Sequence, residues 1–139
     1  MTQLLTIYNE LHDSGAFVFD RKLPFDATGN AAAVVSMGGA CAIFLDTEKL
    51  KTSAEEAVTI AHEAGHIMTG STHYLNSPFD LICRHEYRAN KWAIKKLVPK
   101  EELDGAIKRG LSEVWELAEF FDVTEKFMEM AIVYYKRIY

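Results

Sequence analysis

The chain has 139 residues, 49% of them hydrophobic and 25% charged, with a formal net charge of -5 and a pI of about 5.5. That length suits one domain able to bury a core, and the acidic balance argues against a general nucleic-acid binder, whose phosphate contacts need a basic surface. No run of about eighteen apolar residues occurs, and Met1–Leu5 lacks a basic leader before Glu10 and Asp13, so neither a membrane span nor a signal peptide is expected.

Leu4, Leu5, Tyr8 and Leu11 recur at helical spacing, and Ser14-Gly15 closes that first helix. Ala16 to Asp20 reads as a short strand. Asp26-Ala27-Thr28-Gly29-Asn30 is turn chemistry, and Gly38-Gly39 suggests a hairpin between residues 31–37 and 40–45. A small three-stranded antiparallel sheet is therefore expected, with an edge able to support an extended peptide.

Ser53-Ala54-Glu55-Glu56 then reads as a capping box, Ser53 at the N-cap and Glu56 at N3. Ala54, Ala57, Val58, Ala61, Gly65 and Met68 form one apolar face, and Gly70 supplies a stop. Ser77-Pro78 looks like the next helix start, with Asp80 in its first turn and an end before Pro99. Residues 100–109, 112–121 and 124–138 follow as helices, with Thr124 as an N-cap. The stretch from Leu117 to Ala131 has a helix-turn-helix rhythm, but Glu125, Lys126 and Glu129 suit a DNA groove poorly, so it reads as core packing. The fold class is α+β, mainly helical, in a single domain over residues 1–139.

The chemistry concentrates at His62-Glu63-Ala64-Gly65-His66. Four residues apart on a helix, His62 and His66 share a face and can hold one metal ion, while Glu63 stands beside it as a base for an activated water. Two polar residues on a solvated helix face are the plain alternative. A hydrolytic zinc usually takes a third protein ligand, and His73, Cys83, His85 and Glu86 are within reach of the motif. Gly70 and His73 each fall one residue too late for the metzincin spacing, and Cys83 reads more simply as a small apolar residue. Glu86 fits best, because Asn90 lies one turn on and could accept from the distal nitrogen of a ligating histidine. His73 and His85 remain open as substitutes. Zinc suits this donor set, although iron(II) would also accept two imidazoles and a carboxylate. His73, Tyr74, Arg84 and Tyr87 are candidates to stabilise an oxyanion; His73 and Tyr74, just past the motif helix, could be brought over the metal by a loop.

These residues resemble a known family. Ala61-His62-Glu63-Ala64-Gly65-His66, then Arg84-His85-Glu86-Tyr87-Arg88-Ala89-Asn90-Lys91-Trp92-Ala93, then Leu97-Val98-Pro99, is similar to the ImmA/IrrE-type metallopeptidases, and Leu117 to Val123 resembles their later segment. The likeness covers roughly residues 15 to 135. It implies a zincin-like, gluzincin type of domain, zinc on His62, His66 and Glu86, and Glu63 as catalytic base. It also implies a protein substrate, commonly a helix-turn-helix repressor of a prophage or mobile element, cut to release transcription. His85 beside Glu86 is a competing donor.

Two other functions use the same residues: a regulatory protein that holds a partner around a zinc site without cutting it, and a hydrolase of small amides or esters. Cys41 and Cys83 suit a reducing cytoplasm better than a disulfide, so the expected location is cytoplasmic, with no direct nucleic-acid or membrane partner.

Overall fold

The computed structural model describes residues 2–20, 32–37, 40–70 and 79–138. Six helices and three strands follow in the order α1 (Thr2–Asp13), β1 (Phe17–Asp20), β2 (Ala32–Met37), β3 (Ala40–Leu45), α2 (Ser53–Met68), α3 (Phe79–Leu97), α4 (Lys100–Lys108), α5 (Val114–Phe121) and α6 (Glu125–Ile138). The mainly helical architecture with a small sheet ahead of the motif helix matches the expectation. The turn at residues 26–30, the Gly38-Gly39 pair and the Ser77-Pro78 start lie outside the described residues.

The sheet is mixed rather than antiparallel throughout. β2 and β3 form the expected hairpin, with Met37 opposite Ala40, but β1 lies against the other edge of β3 and runs parallel to it, giving the order β1-β3-β2. Side-chain fit explains the placement. Phe19 stands opposite Phe44 with ring centroids 5.4 Å apart, and Phe17 stacks on Phe19 at 6.2 Å. A cross-strand aromatic pair such as Phe19–Phe44 stabilises a ladder by a fraction of about 1 kcal/mol. Beyond the strand end, the Thr47 hydroxyl donates to the Asp20 carboxylate at 3.0 Å. Strand alternation looks the same in either arrangement, so the sequence pattern does not distinguish them.

β3 turns Ile43 and Leu45 into the core, where they meet Ile7 and Leu11 of α1 and Ile60 and Ala64 of α2. The apolar stripe of α1 differs in detail from its periodicity: Ile7 is fully buried while Leu5 is 61% exposed. Gly15, at φ 84°, allows the chain to leave that helix in a left-handed conformation.

α2 begins one residue earlier in its capping than Ser53 implies. Thr52 is the N-cap, its hydroxyl accepting from the Glu55 N–H at 3.1 Å, and the Glu55 carboxylate accepts from the Lys51 N–H at 2.8 Å. Ser53, freed from the cap, donates to Asp122 at 2.8 Å and ties this helix start to the end of α5. Around α3, Tyr135 of α6 donates to the Val98 carbonyl at 2.7 Å. On its other side Lys96 pairs with Glu10 of α1 at 2.5 Å. α3 is thus anchored at its C-terminal end, while Glu86 and Asn90 face α2.

Candidate metal centre

Small residues decide how closely α2 and α3 approach. Ala57, Ala61, Ala64 and Gly65 present almost no side-chain bulk, and these two helices form the most extensive helix–helix contact described. Gly65 is the critical point. A Cβ placed there would stand 2.5 Å from the Ala89 carbonyl oxygen and 2.9 Å from its Cα, and neither backbone atom can step aside cheaply. Gly65 was legible in the sequence as part of a buried face, but not as the contact that sets helix spacing. A glycine inside a good helix was the available signal, since that choice sacrifices helix propensity unless something needs the space.

The close crossing brings Glu86 against the histidine pair. His62 Nε2 lies 2.8 Å from one Glu86 oxygen, and His66 Nε2 lies 3.3 Å from the other. The two Nε2 atoms are 3.2 Å apart. His62, His66 and Glu86 are the group of donors able to share one metal among the described residues, with ligand atoms all within 4.8 Å of one another. Around a tetrahedral ion with bonds near 2.0–2.2 Å, ligand atoms stand roughly 3.4 Å apart, so the spacing suits zinc-sized coordination with little movement.

Asn90 decides the tautomer. Its Oδ1 lies 2.7 Å from His62 Nδ1, and a carbonyl oxygen can only accept, so Nδ1 carries the proton. The other nitrogen of a neutral His62 then directs its lone pair at a carboxylate oxygen 2.8 Å away. Two electron-rich atoms at that distance call for a cation, either a proton or a metal ion. This is the arrangement in which an outer amide orients a ligating imidazole.

The remaining candidates separate by position. His66 is buried, His62 partly so, and Glu86 is the most accessible of the three, at 39% for its side chain, which leaves the group reachable from solvent. Burial pushes the Glu63 carboxyl above its ordinary value; the Glu86 carboxylate raises it further, while His62 opposes both. Cys83 is exposed, and His85, the neighbour of Glu86, is buried about 100° further round the helix. Neither belongs to the donor group. Arg84 and Tyr87 are exposed on α3. His73 and Tyr74 lie outside the described residues.

A family model for the IrrE N-terminal-like domain, peptidase family M78, matches residues 12–133. The chain belongs to the M78 peptidase family. The match takes in the sheet, the motif helix, the Glu86 helix and most of α6, so the donor group sits inside the matched region. Searches of curated proteins and of solved structures gave no match. Within this M78 domain the resemblance drawn from the motif pair and the family match agree.

Proposed function

We propose that this M78 domain is a zinc-dependent endopeptidase, with His62, His66 and Glu86 as metal ligands and Glu63 as general base. The observation that carries the reading is the convergence of three lone-pair donors from two helices, with one imidazole oriented by Asn90. Zinc held there would supply Lewis acidity toward a water and a substrate carbonyl. The protein residues do the rest. His62 and His66, one turn apart on α2, present their Nε2 atoms from one helix face. Glu63 takes the proton of the attacking water on its carboxylate and passes it to the departing amine. Its burial supports this role, because a raised pKa makes a carboxylate a stronger base and a competent acid in the second step. His73 and Tyr74 are our candidates for bearing the developing oxyanion.

The substrate we favour is a helix-turn-helix transcriptional repressor of a prophage or mobile element, a choice that rests on likeness to ImmA/IrrE-type proteins. The location in keeping with it is the cytoplasm; no helix described is long and apolar enough to cross a membrane. The test is incubation of the chain with the repressor encoded beside its gene, with and without chelator. Fragments that vanish with chelator and return with zinc support the peptidase. A stable complex that yields no fragments under any metal condition overturns it in favour of a non-cutting regulator.

A further inference from the structure

Between α3 and α6 lies a cleft of about 170 Å³. Its floor is apolar, made by Ile94, Met130 and the buried Tyr134, and Tyr87 and Val133 stand half exposed at its rim. Two cations, Lys91 and Arg137, line it, and no carboxylate does. Neither cation makes an ion pair among the described residues, whereas Lys49, Lys96 and Lys100 each do. In a chain of net charge -5 this is a local reversal of sign. A cavity of about 150 Å³ holds a benzene-sized guest, so the space here suits one aromatic ring with a short polar arm.

We infer that this cleft binds a small aryl carboxylate, ring on the Tyr134–Met130 floor and carboxylate between Lys91 and Arg137, and that its occupancy is felt at the metal centre through Asn90. Aromatic and thioether surfaces favour a ring, and two cations in the lining favour an anionic head. Asn90 is what joins the two places: it lines the cleft and its Oδ1 accepts from His62 Nδ1. A ligand packed against Asn90 restricts its side chain to the rotamer that orients His62, so the ligand tightens metal binding. By reciprocity, metal tightens the ligand by the same factor. The coupling rests on the metal reading above; the binding site does not.

The chemistry has two sources, a free acid or the C-terminal aromatic residue of a peptide. Phenylacetate and N-acetylphenylalanine are the corresponding probes, with neutral phenylacetamide as the control. Titrated into the metal-free full chain and followed by amide NMR, phenylacetate is expected to saturate with a dissociation constant on the order of 1 mM, as suits a ligand of this size. Shifts should centre on Tyr87, Lys91 and Val133. The K91M/R137M double variant and the cleft-filling V133W variant should each lose binding, and phenylacetamide should bind at least about tenfold more weakly. Tighter binding of N-acetylphenylalanine than of phenylacetate identifies a peptide terminus as the guest, and weaker binding identifies a free acid. Absence of saturation, or equal binding of the acid and the amide, overturns the site. In a zinc competition assay, saturating phenylacetate should raise zinc affinity about fivefold in the wild type and leave it unchanged in N90A. Phenylacetate binding with no change in wild-type zinc affinity overturns the coupling. Loss of zinc binding altogether would count against the peptidase reading and leave the metal-free titration intact.

Discussion

At the scale of single residues, the proposed function divides the site into groups that hold and groups that react. Glu63 belongs to the second kind. Glu63→Gln keeps the shape and removes the base, so metal content should persist while turnover falls by at least about 100-fold, the range that general-base catalysis supplies. Full activity in that variant removes Glu63 from the reaction. The same carboxyl carries a stability signature in the metal-free protein. Its folded pKa lies above the ordinary 4.5, so the fold holds its proton more tightly than the unfolded chain does. That stabilisation is complete below about pH 4.5 and is lost as pH rises through the folded value. Thermal melts of metal-free wild type and Glu63→Gln should therefore diverge as pH rises above about 4.5, the wild type losing stability relative to the variant. Parallel curves would contradict the burial of the carboxyl. Asn90 belongs to the holding kind: Asn90→Ala should weaken zinc binding about 10–100-fold while leaving its stoichiometry intact, as read by competition with a chelating dye.

At the scale of elements, α2 and α3 are one device. Their spacing depends on Gly65 lying flat against Ala89, and Gly65→Ala forces a Cβ into backbone 2.5 Å away. Overpacking of this sort costs about 1–3 kcal/mol, seen as a lower midpoint in urea unfolding. Because the same crossing carries Glu86 to the histidines, zinc affinity should fall in step with stability. A variant that loses stability and keeps wild-type zinc affinity would show that helix spacing and ligand geometry are independent. Much of this was readable beforehand. The motif histidines, Glu86 and Asn90 were legible because helical periodicity turns sequence distance into direction, and the family resemblance named the ligand set. Strand direction was not: the alternation of Phe17, Val18 and Phe19 says which face is which and nothing of the neighbour. Likewise Thr52 with Glu55 and Ser53 with Glu56 offer capping pairs of the same chemistry one residue apart, so the N-cap of α2 was off by one residue.

At the scale of the whole molecule, the sheet and the four other helices described serve to hold the Glu86 helix against the motif helix. Its Lys96–Glu10 pair and the Tyr135–Val98 hydrogen bond anchor the distal half. Zinc should therefore stabilise the fold as a whole. Ligand present at 100 times its dissociation constant adds about 2.7 kcal/mol, which appears as a rise of several degrees in the melting midpoint. The net charge of -5 is compatible with a cationic cofactor and with a protein substrate. The most direct measurement is the zinc content and zinc affinity of the purified full chain beside Glu86→Ala, by elemental analysis and dye competition. One zinc per wild-type chain, held far more weakly in the variant, is the predicted result. Equal stoichiometry and affinity in the two would contradict it and take the third ligand position away from Glu86.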